Sequence, residues 1–154
     1  LQVAGPIQDN GEGAILNHPR VQYLGILHGA DLVSAYASAL AIVVPNIALP
    51  TGEYEGFGLV ATEAAAAGGV VLAARLDGLR NAVIDNQTGF LLDSGNSGTW
   101  INKVLEIESW AQAQRKSFIH AAMLKCREQF SWGRVGRDTY GILLSQQTDA
   151  MRSP

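Results

Sequence analysis

The segment "GLVATEAAAAGGVVLAA" (Gly58–Ala74) shows most directly which fold this chain adopts. Its first part is rich in alanine, the best helix former, and predicts a helix from about Gly58 to Ala67. Gly68 and Gly69 then end this helix. The last five residues, "VVLAA", are apolar throughout, which is typical of a strand buried on both faces of a sheet. A helix followed directly by a buried strand indicates an α/β protein.

The same alternation continues on both sides of this segment. Further strands are predicted in "LQVAGPI" at the start of the chain, in Val21–Leu27, in Leu40–Pro45 and in "GFLLD". Helices are predicted in "ADLVSAYASA", in "LRNAVI", from Thr99 to about Phe130, and after "FSW". Because apolar strands alternate with helices, we expect a doubly wound parallel sheet of the Rossmann type. Residues 1–147 are predicted to form one domain and residues 148–154 a loose tail.

Composition excludes several classes of protein. The net charge is −3 and no basic cluster occurs, so nucleic acid is not an expected partner. No apolar stretch approaches the roughly 18 residues of a membrane span. Cys126 is the only cysteine, which rules out an intrachain disulfide and is compatible with a cytoplasmic location. The chain opens with "LQVAG", which has no Met and reads as the end of a buried strand, so we expect a piece of a longer protein.

Two acids flank a glycine turn just before the alanine-rich helix. Glu55 precedes Gly56-Phe57-Gly58, and Glu63 follows Glu55 by eight positions. Ligands of doubly wound sheets bind at the carboxyl ends of strands, which is where this loop belongs. Glycines let the backbone approach a ligand closely, and the start of a helix favours an anion. The turn therefore predicts a phosphate site.

The positions of the two acids suggest what the phosphate is attached to. Glu63 lies about five residues along the helix, or roughly 7–8 Å from the turn, about one sugar unit away. A carboxylate there could hold a ribose, and Glu55 could meet the hydroxyls of a second sugar. This spacing suggests a nucleotide-sugar. Glu55 as a solvated loop acid and Glu63 as an exposed helix acid are the alternatives that these residues leave open.

Several motifs resemble those of one large family. "EGFGLVATEA", with its Glu-x7-Glu spacing, is similar to the donor-site motif of retaining glycosyltransferases of the GT-B fold, the "glycosyl transferases group 1" family. "VQYLG", "LAIVVPN", "GLRNAVIDNQTGFLL" and "FSW…Y" resemble further motifs of that family in the same order. The resemblance covers nearly all of residues 1–145.

The resemblance implies a role for each matching residue. Glu63 would bind the ribose, and Glu55 would contact the donor sugar and stabilise charge at the reacting centre. Leu27 would lie near the base. The sugar and phosphates would be lined by Gly56, Phe57, Gly58 and Leu59. The implied reaction moves a sugar from a nucleotide-diphosphate sugar to an acceptor, with retention at the anomeric carbon and without a metal or other cofactor.

The chain also departs from the family pattern. Val70 stands where the family usually has Pro, and Asn81 where it usually has Glu, which removes one polar contact near the site. The family's Arg and Lys that hold the diphosphate would precede Leu1. So would the N-terminal domain that binds the acceptor, and any membrane association would depend on that part, at the inner face of the membrane.

Other interpretations remain for the chain as a whole. One is a noncatalytic nucleotide-sugar-binding module, and another is a different GT-B enzyme such as a sugar-nucleotide epimerase or a phosphorylase. The intact pair of acids favours the transferase over the noncatalytic module. Arg75 and Arg80, near predicted strand ends, could assist phosphate binding or could be solvated loop residues. The three histidines are not at metal-ligand spacing, so no metal site is predicted.

Overall fold

The computed structural model describes residues 1–7, 13–48, 56–76 and 78–150, without the side chains of 145–150. The chain divides into two compact units, Leu1–Ala35 and Tyr36–Pro154. Each unit contains a parallel sheet with helices in the connections between strands. The predicted Rossmann-like α/β class is thus confirmed. Whether residues 1–147 act as one donor-binding domain stays a prediction.

The first unit has two very short strands. Its elements are β1 (Gln2–Val3), α1 (Gly13–Leu16), β2 (Gln22–Tyr23) and most of α2 (Gly29–Ser38). β1 and β2 pair in parallel, with Val3 opposite Tyr23. The prediction of a strand over Val21–Leu27 is wrong in length, because Gly25 has a φ of +72° that turns the backbone out of the extended region.

The second unit carries the remaining elements. They are β3 (Ile42–Val44), α3 (Leu59–Ala66), β4 (Val71–Ala74), α4 (Leu79–Ala82), β5 (Phe90–Leu92), α5 (Ser97–Glu108), α6 (Gln112–Phe130) and α7 (Trp132–Ala150). The three strands are parallel in the order β3-β4-β5. The strands and helices predicted at these positions are confirmed. α7 extends to Ala150 and so includes the first three residues of the segment predicted as a tail.

β4 lies in the centre of this sheet and is buried along its whole length. Alternate side chains of a strand point to opposite faces. On one face, Val71 and Ala73 pack in a cluster with the alanines of α3. On the other, Leu72 packs with Phe90 and with Ile107 of α5. Burial on both faces explains why "VVLAA" contains no polar residue.

Two glycines end α3, as predicted. The Gly69 N–H donates to the Ala64 carbonyl (2.8 Å) and the Gly68 N–H to the Ala65 carbonyl (3.2 Å). This pair of bonds is a Schellman motif, which satisfies carbonyls that the helix itself leaves without partners. The motif directs the chain straight into β4. The C-terminal end of α3 is therefore fixed directly before β4.

α6 is hydrogen-bonded to the loop that leads into the sheet. The Arg115 guanidinium donates to the carbonyls of Leu40 (2.8 Å) and Ala39 (2.7 Å), at the loop that leads into β3. Cys126 lies buried in the cluster beneath α3, where burial raises the pKa of its thiol to about 11. Cys126 is thus a core residue of α6, and its thiol is protonated at neutral pH.

Candidate active site

The turn before α3 has a backbone conformation that requires glycine. Gly58 is buried, precedes the first residue of α3 and has a φ of +82°. A Cβ on Gly58 would also lie 2.5 Å from Cδ2 of Leu79. The dihedral angle therefore favours glycine strongly, and a larger residue would also have to displace the Leu79 side chain. The turn packs directly on the first residue of α4.

A second glycine brings this turn into contact with the loop after β4. A Cβ on Gly78, the residue before α4, would overlap the Gly56 carbonyl group and the Phe57 nitrogen. The loops that follow the neighbouring strands β3 and β4 therefore touch through their backbones. Because both strands are parallel, this contact lies at the carboxyl edge of the sheet, where ligands of such sheets bind. The first turns of α3 and α4 are held side by side there.

The start of α3 presents backbone donors outward. Its first intrahelical hydrogen bond runs from the Ala61 N–H to the Gly58 carbonyl (2.9 Å). The N–H groups of Leu59 and Val60 come before that bond, and both residues are exposed. Among the side chains that the structure describes, none caps this helix start. Such an end combines N–H donors with the positive end of the helix dipole, which suits an anion such as phosphate.

The ring of Phe57 points into the protein. It packs edge-to-face on Phe130 of α6, with the ring centroids 5.8 Å apart, and it adjoins the cluster that contains Leu79. The ring therefore anchors the turn from beneath. The predicted contact of Phe57 with a sugar or phosphate stays a prediction. Because the ring is packed against Phe130, the backbone of Phe57 is the part that could make this contact.

Glu63 lies on the exposed side of α3. Its neighbours Ala61, Ala64 and Ala65 are buried against the sheet, and Glu63 itself points away from them. Burial, together with the nearby negative charge of Glu63, raises the pKa of Tyr36. This position suits a carboxylate that binds hydroxyl groups and equally suits a solvated helix acid. The ribose-binding role of Glu63 stays a prediction.

Two other predicted site residues cannot be placed beside the turn. Glu55, the predicted catalytic acid, lies outside the described residues. Leu27, predicted to lie near the base, belongs to the first unit, in the loop between β2 and α2. The roles of both residues stay predictions. Of the other predicted residues, the structure brings Gly56, Phe57, Gly58 and Leu59 together at the start of α3.

The arginines after β4 are engaged with the protein itself. The Arg75 guanidinium donates to the Asp85 carboxylate (2.9 Å) and to the Leu91 carbonyl (2.8 Å). Arg80 donates through Nε to the Arg75 carbonyl (3.0 Å). These bonds give both residues a structural role, and a contribution to phosphate binding is not needed to explain them.

The segment "DNQTGFLL" is also structural. Burial would raise the pKa of Asp85, but hydrogen bonds from the Leu91 N–H and from Arg75 outweigh it and lower that pKa. The Thr88 hydroxyl accepts from the Ile84 N–H (2.8 Å). The segment thus shapes the entry into β5.

Gly78 is the residue of this site to which sequence reasoning assigned no role. The signal was present, since Gly78 opens the stretch "GLRNAVIDNQTGFLL" that resembles a family motif. Asn81, which replaces the family's usual Glu, is exposed on α4 three residues after Gly78. The α4 side chain that lies nearest to Gly58 of the glycine turn is instead Leu79.

Within the described ranges, no group of three or more His, Cys, Asp or Glu side chains could hold a metal ion. Among the helices that the structure describes, none is long and apolar enough to cross a membrane. The expectation that no metal is required stays a prediction.

The fold and this turn together define an α/β protein in which a helix begins at the carboxyl edge of a parallel sheet, directly after a glycine turn. The sequence profile of "Glycosyl transferases group 1" matches residues 14–124. The chain therefore belongs to the glycosyl transferases group 1 family.

Curated relatives support the same family. The chain is 32% identical over 146 residues to a D-inositol 3-phosphate glycosyltransferase of Arthrobacter sp., covering 93% of this chain and 31% of the relative. It is 38% identical over 135 residues to the enzyme of that name from Mycolicibacterium smegmatis, covering 86% of this chain and 27% of the relative. The chain thus spans about a quarter to a third of the length of these relatives.

Solved structures share the fold. Sucrose-phosphate synthase from Thermosynechococcus elongatus superposes with a TM-score of 0.74 at 26% identity, over 97% of this chain and 38% of that one. Anabaena HepE in complex with UDP and glucose superposes with a TM-score of 0.66 at 24% identity, over 87% of this chain and 34% of that one. The predicted relation to the C-terminal half of a GT-B enzyme agrees with these superpositions.

Proposed function

We propose that this chain is the donor-binding part of a retaining glycosyltransferase that moves a sugar from a nucleotide-diphosphate sugar to an acceptor. The observation that carries the proposal is the start of α3, which the contact between Gly78 and the Gly56-Phe57 peptide positions at the carboxyl edge of the sheet. Family membership and the names of the curated relatives support sugar transfer.

The diphosphate binds at the first turn of α3. The N–H groups of Leu59 and Val60 donate to its oxygens, and the helix dipole favours its negative charge. The chain carries a net charge of −3, so bulk charge does not attract the ligand. Local backbone geometry supplies the attraction instead.

The ribose lies about one helical turn further along α3. Glu63 follows Leu59 by four residues, which is about one helical turn, or roughly 6 Å. The two residues therefore share the exposed face of α3. The Glu63 carboxylate accepts hydrogen bonds from two adjacent ribose hydroxyls.

The sugar lies at the opposite end of the diphosphate, near the glycine turn. When the bond between sugar and phosphate breaks, positive charge develops on the anomeric carbon and negative charge on the departing diphosphate. The start of α3 stabilises the negative charge and Glu55 stabilises the positive charge. Gly56 and Phe57 line the sugar with their backbone atoms.

The remaining parts of the reaction belong to the rest of the enzyme. An N-terminal domain binds the acceptor, and an Arg and a Lys from outside this chain complete the diphosphate site. The proposed reaction uses no metal. We place the enzyme in the cytoplasm, in contact with the membrane only through its other domain. The 154-residue chain is expected to transfer no sugar without that domain.

Calorimetric titration of the chain with UDP, GDP and ADP tests the proposal. We expect weak binding of at least one nucleotide, because the helix start and Glu63 are present while the Arg and Lys are absent. Circular dichroism on the same samples reports whether the fold is intact. A folded chain that binds none of the three nucleotides at millimolar concentration contradicts a preformed donor site.

A further inference from the structure

Thr62 is a polar residue on the buried side of α3. Of the buried side chains that the structure describes, Thr62 and Thr88 are the two polar ones, and Thr62 is 8% exposed. The Thr88 hydroxyl has an evident structural role, because it accepts from the Ile84 N–H at the loop before β5. The buried neighbours of Thr62 in α3 are all alanines. A hydroxyl among them needs an explanation of its own.

The Thr62 hydroxyl bonds within its own helix. It donates to the Leu59 carbonyl (2.9 Å), three residues earlier in α3. In an α-helix this carbonyl also accepts from the N–H four residues further on, which is that of Glu63, so it has a partner without Thr62. A hydroxyl that bonds back to the preceding turn slightly destabilises a helix, whereas a valine of similar shape would bury more apolar surface. The stability of the fold therefore does not account for the hydroxyl.

The carbonyl that Thr62 contacts belongs to a peptide unit at the start of α3. The Leu59 C=O and the Val60 N–H are the two ends of one planar peptide group. The Val60 N–H precedes the first intrahelical hydrogen bond, which the Ala61 N–H donates to Gly58, and Val60 is 49% exposed. The hydroxyl therefore acts on the same peptide group that presents the Val60 N–H outward.

Hydrogen bonds in a chain polarise one another. A donor on the carbonyl oxygen draws electron density toward that oxygen and makes the N–H of the same peptide a stronger donor, by about 10–30% per bond. The Thr62 bond also holds the orientation of the Leu59–Val60 peptide. An anion that accepts from the Val60 N–H gains from both effects.

We propose that Thr62 is a positioning residue of the diphosphate site. Its hydroxyl holds and polarises the Leu59–Val60 peptide, so that the Val60 N–H donates more strongly to a phosphate oxygen. Thr62 acts through this peptide and not on the ligand itself. The inference rests on the proposed function, because it requires a phosphate at the start of α3.

Two substitutions at Thr62 separate binding from stability in the full-length gene product that contains these residues. Thr62→Val removes the hydroxyl and keeps the shape, so the Kd of the tightest-binding nucleotide among UDP, GDP and ADP is expected to rise about threefold. Its Tm is not expected to fall, since the lost bond does not stabilise the helix. Thr62→Ser keeps the hydroxyl and loses a buried methyl group, so its Tm is expected to fall while its Kd stays within about 1.5-fold of the unmodified value.

The possible results distinguish this inference from the proposed function. If the unmodified protein binds a nucleotide and Thr62→Val binds it equally tightly, the role of Thr62 is overturned while the donor site stands. If Thr62→Val loses affinity and Tm together, the hydroxyl stabilises the fold and the inference is likewise overturned. If the unmodified protein binds none of the three nucleotides, the proposed function fails, and the inference fails with it.

The ¹⁵N resonance of the Val60 amide reports the polarisation without any ligand. The Thr62 bond withdraws electron density from the Val60 nitrogen through the shared peptide group. Thr62→Val is therefore expected to move this resonance upfield, and Thr62→Ser is expected to leave it close to its original position. A Val60 resonance that Thr62→Val leaves unmoved would overturn the proposal.

Discussion

Gly78 leaves room for the peptide that joins Gly56 to Phe57, and a single methyl group on Gly78 would overlap that peptide. Gly78→Ala is therefore expected to push the glycine turn away from α4. Overpacking of this kind costs about 1–3 kcal/mol in unfolding free energy. Because the turn carries the start of α3, the affinity for nucleoside diphosphates is expected to fall as well.

Urea unfolding and nucleotide titration of the Gly78→Ala chain measure the two effects. Gly95→Ala is the matched control, since a Cβ on Gly95 would have no neighbour within 4 Å. The control is expected to change neither quantity appreciably. If Gly78→Ala unfolds and binds like the unmodified chain, the contact between the two loops does not position the site.

A negative charge at the first residue of α3 should stabilise the helix and weaken phosphate binding. Leu59 is 60% exposed, so Leu59→Asp is not expected to disturb the core. A carboxylate at a helix start interacts favourably with the dipole by about 0.3–1 kcal/mol. The same carboxylate repels a bound diphosphate, by about 1–2 kcal/mol at the separations near a protein surface, or on the order of tenfold in Kd.

Leu59→Asn is the neutral control for this change. It has nearly the same shape as the aspartate variant, so the difference in Kd between the two reports the charge. Titration with UDP, GDP and ADP measures it, and thermal unfolding checks stability. Identical affinities of the two variants would contradict anion binding at the start of α3.

Acid should destabilise the loop after α4 through Asp85. Its pKa is lowered in the folded chain, so ionised Asp85 contributes stability above the unfolded pKa of about 3.9. That contribution is lost as the pH falls through the folded pKa. Asp85→Asn weakens the hydrogen bond to Arg75 and is expected to lower the free energy of unfolding by about 1–2 kcal/mol at pH 7.

Urea unfolding of both chains at pH 7 and pH 3 measures this contribution. The difference between Asp85→Asn and the unmodified chain is expected to shrink at the lower pH, because pH 3 lies below the unfolded pKa of about 3.9, where the stability that ionised Asp85 contributes is no longer complete. Glu106→Gln, which removes an exposed pair with Lys103, serves as the control and is expected to have a smaller effect at pH 7. A pH-independent difference for Asp85→Asn would exclude its ionisation as the cause.

Local signals in the sequence were sufficient for the central elements of the fold. Alanine propensity and two glycines predicted α3 and its end, because a helix and its Schellman motif depend on neighbours within a few residues. The apolar run of β4 predicted a strand buried on both faces. The length of β2 was overestimated, because apolar pattern does not reveal that Gly25 takes a positive φ.

The site was predictable only in part. The glycine turn and the helix start could be predicted because they form one continuous segment. The contact of Gly78 with the Gly56-Phe57 peptide and the packing of Phe57 on Phe130 join residues that are distant in the sequence, and a single sequence carries no direct signal of such contacts. Side-chain direction was also out of reach, so the packing of the Phe57 ring on Phe130 could not be predicted from the sequence.

The two acids of the motif should separate into different kinetic roles in the full-length enzyme. Glu63 is proposed to hold the ribose equally in the ground and transition states, so Glu63→Gln should raise KM for the donor. Glu55 is proposed to act where charge develops, so Glu55→Gln should lower kcat by on the order of 10²-fold, or about 3 kcal/mol, with a smaller effect on nucleotide binding.

Both substitutions preserve size, and Glu128→Gln on α6, another exposed acid, controls for the loss of a surface charge. Steady-state kinetics and nucleotide titration on the three variants measure these effects. A Glu55→Gln enzyme with unchanged kcat, beside a Glu63→Gln enzyme without activity, would show that the roles are assigned wrongly, because a ribose contact cannot abolish chemistry while the acid at the reacting centre is dispensable.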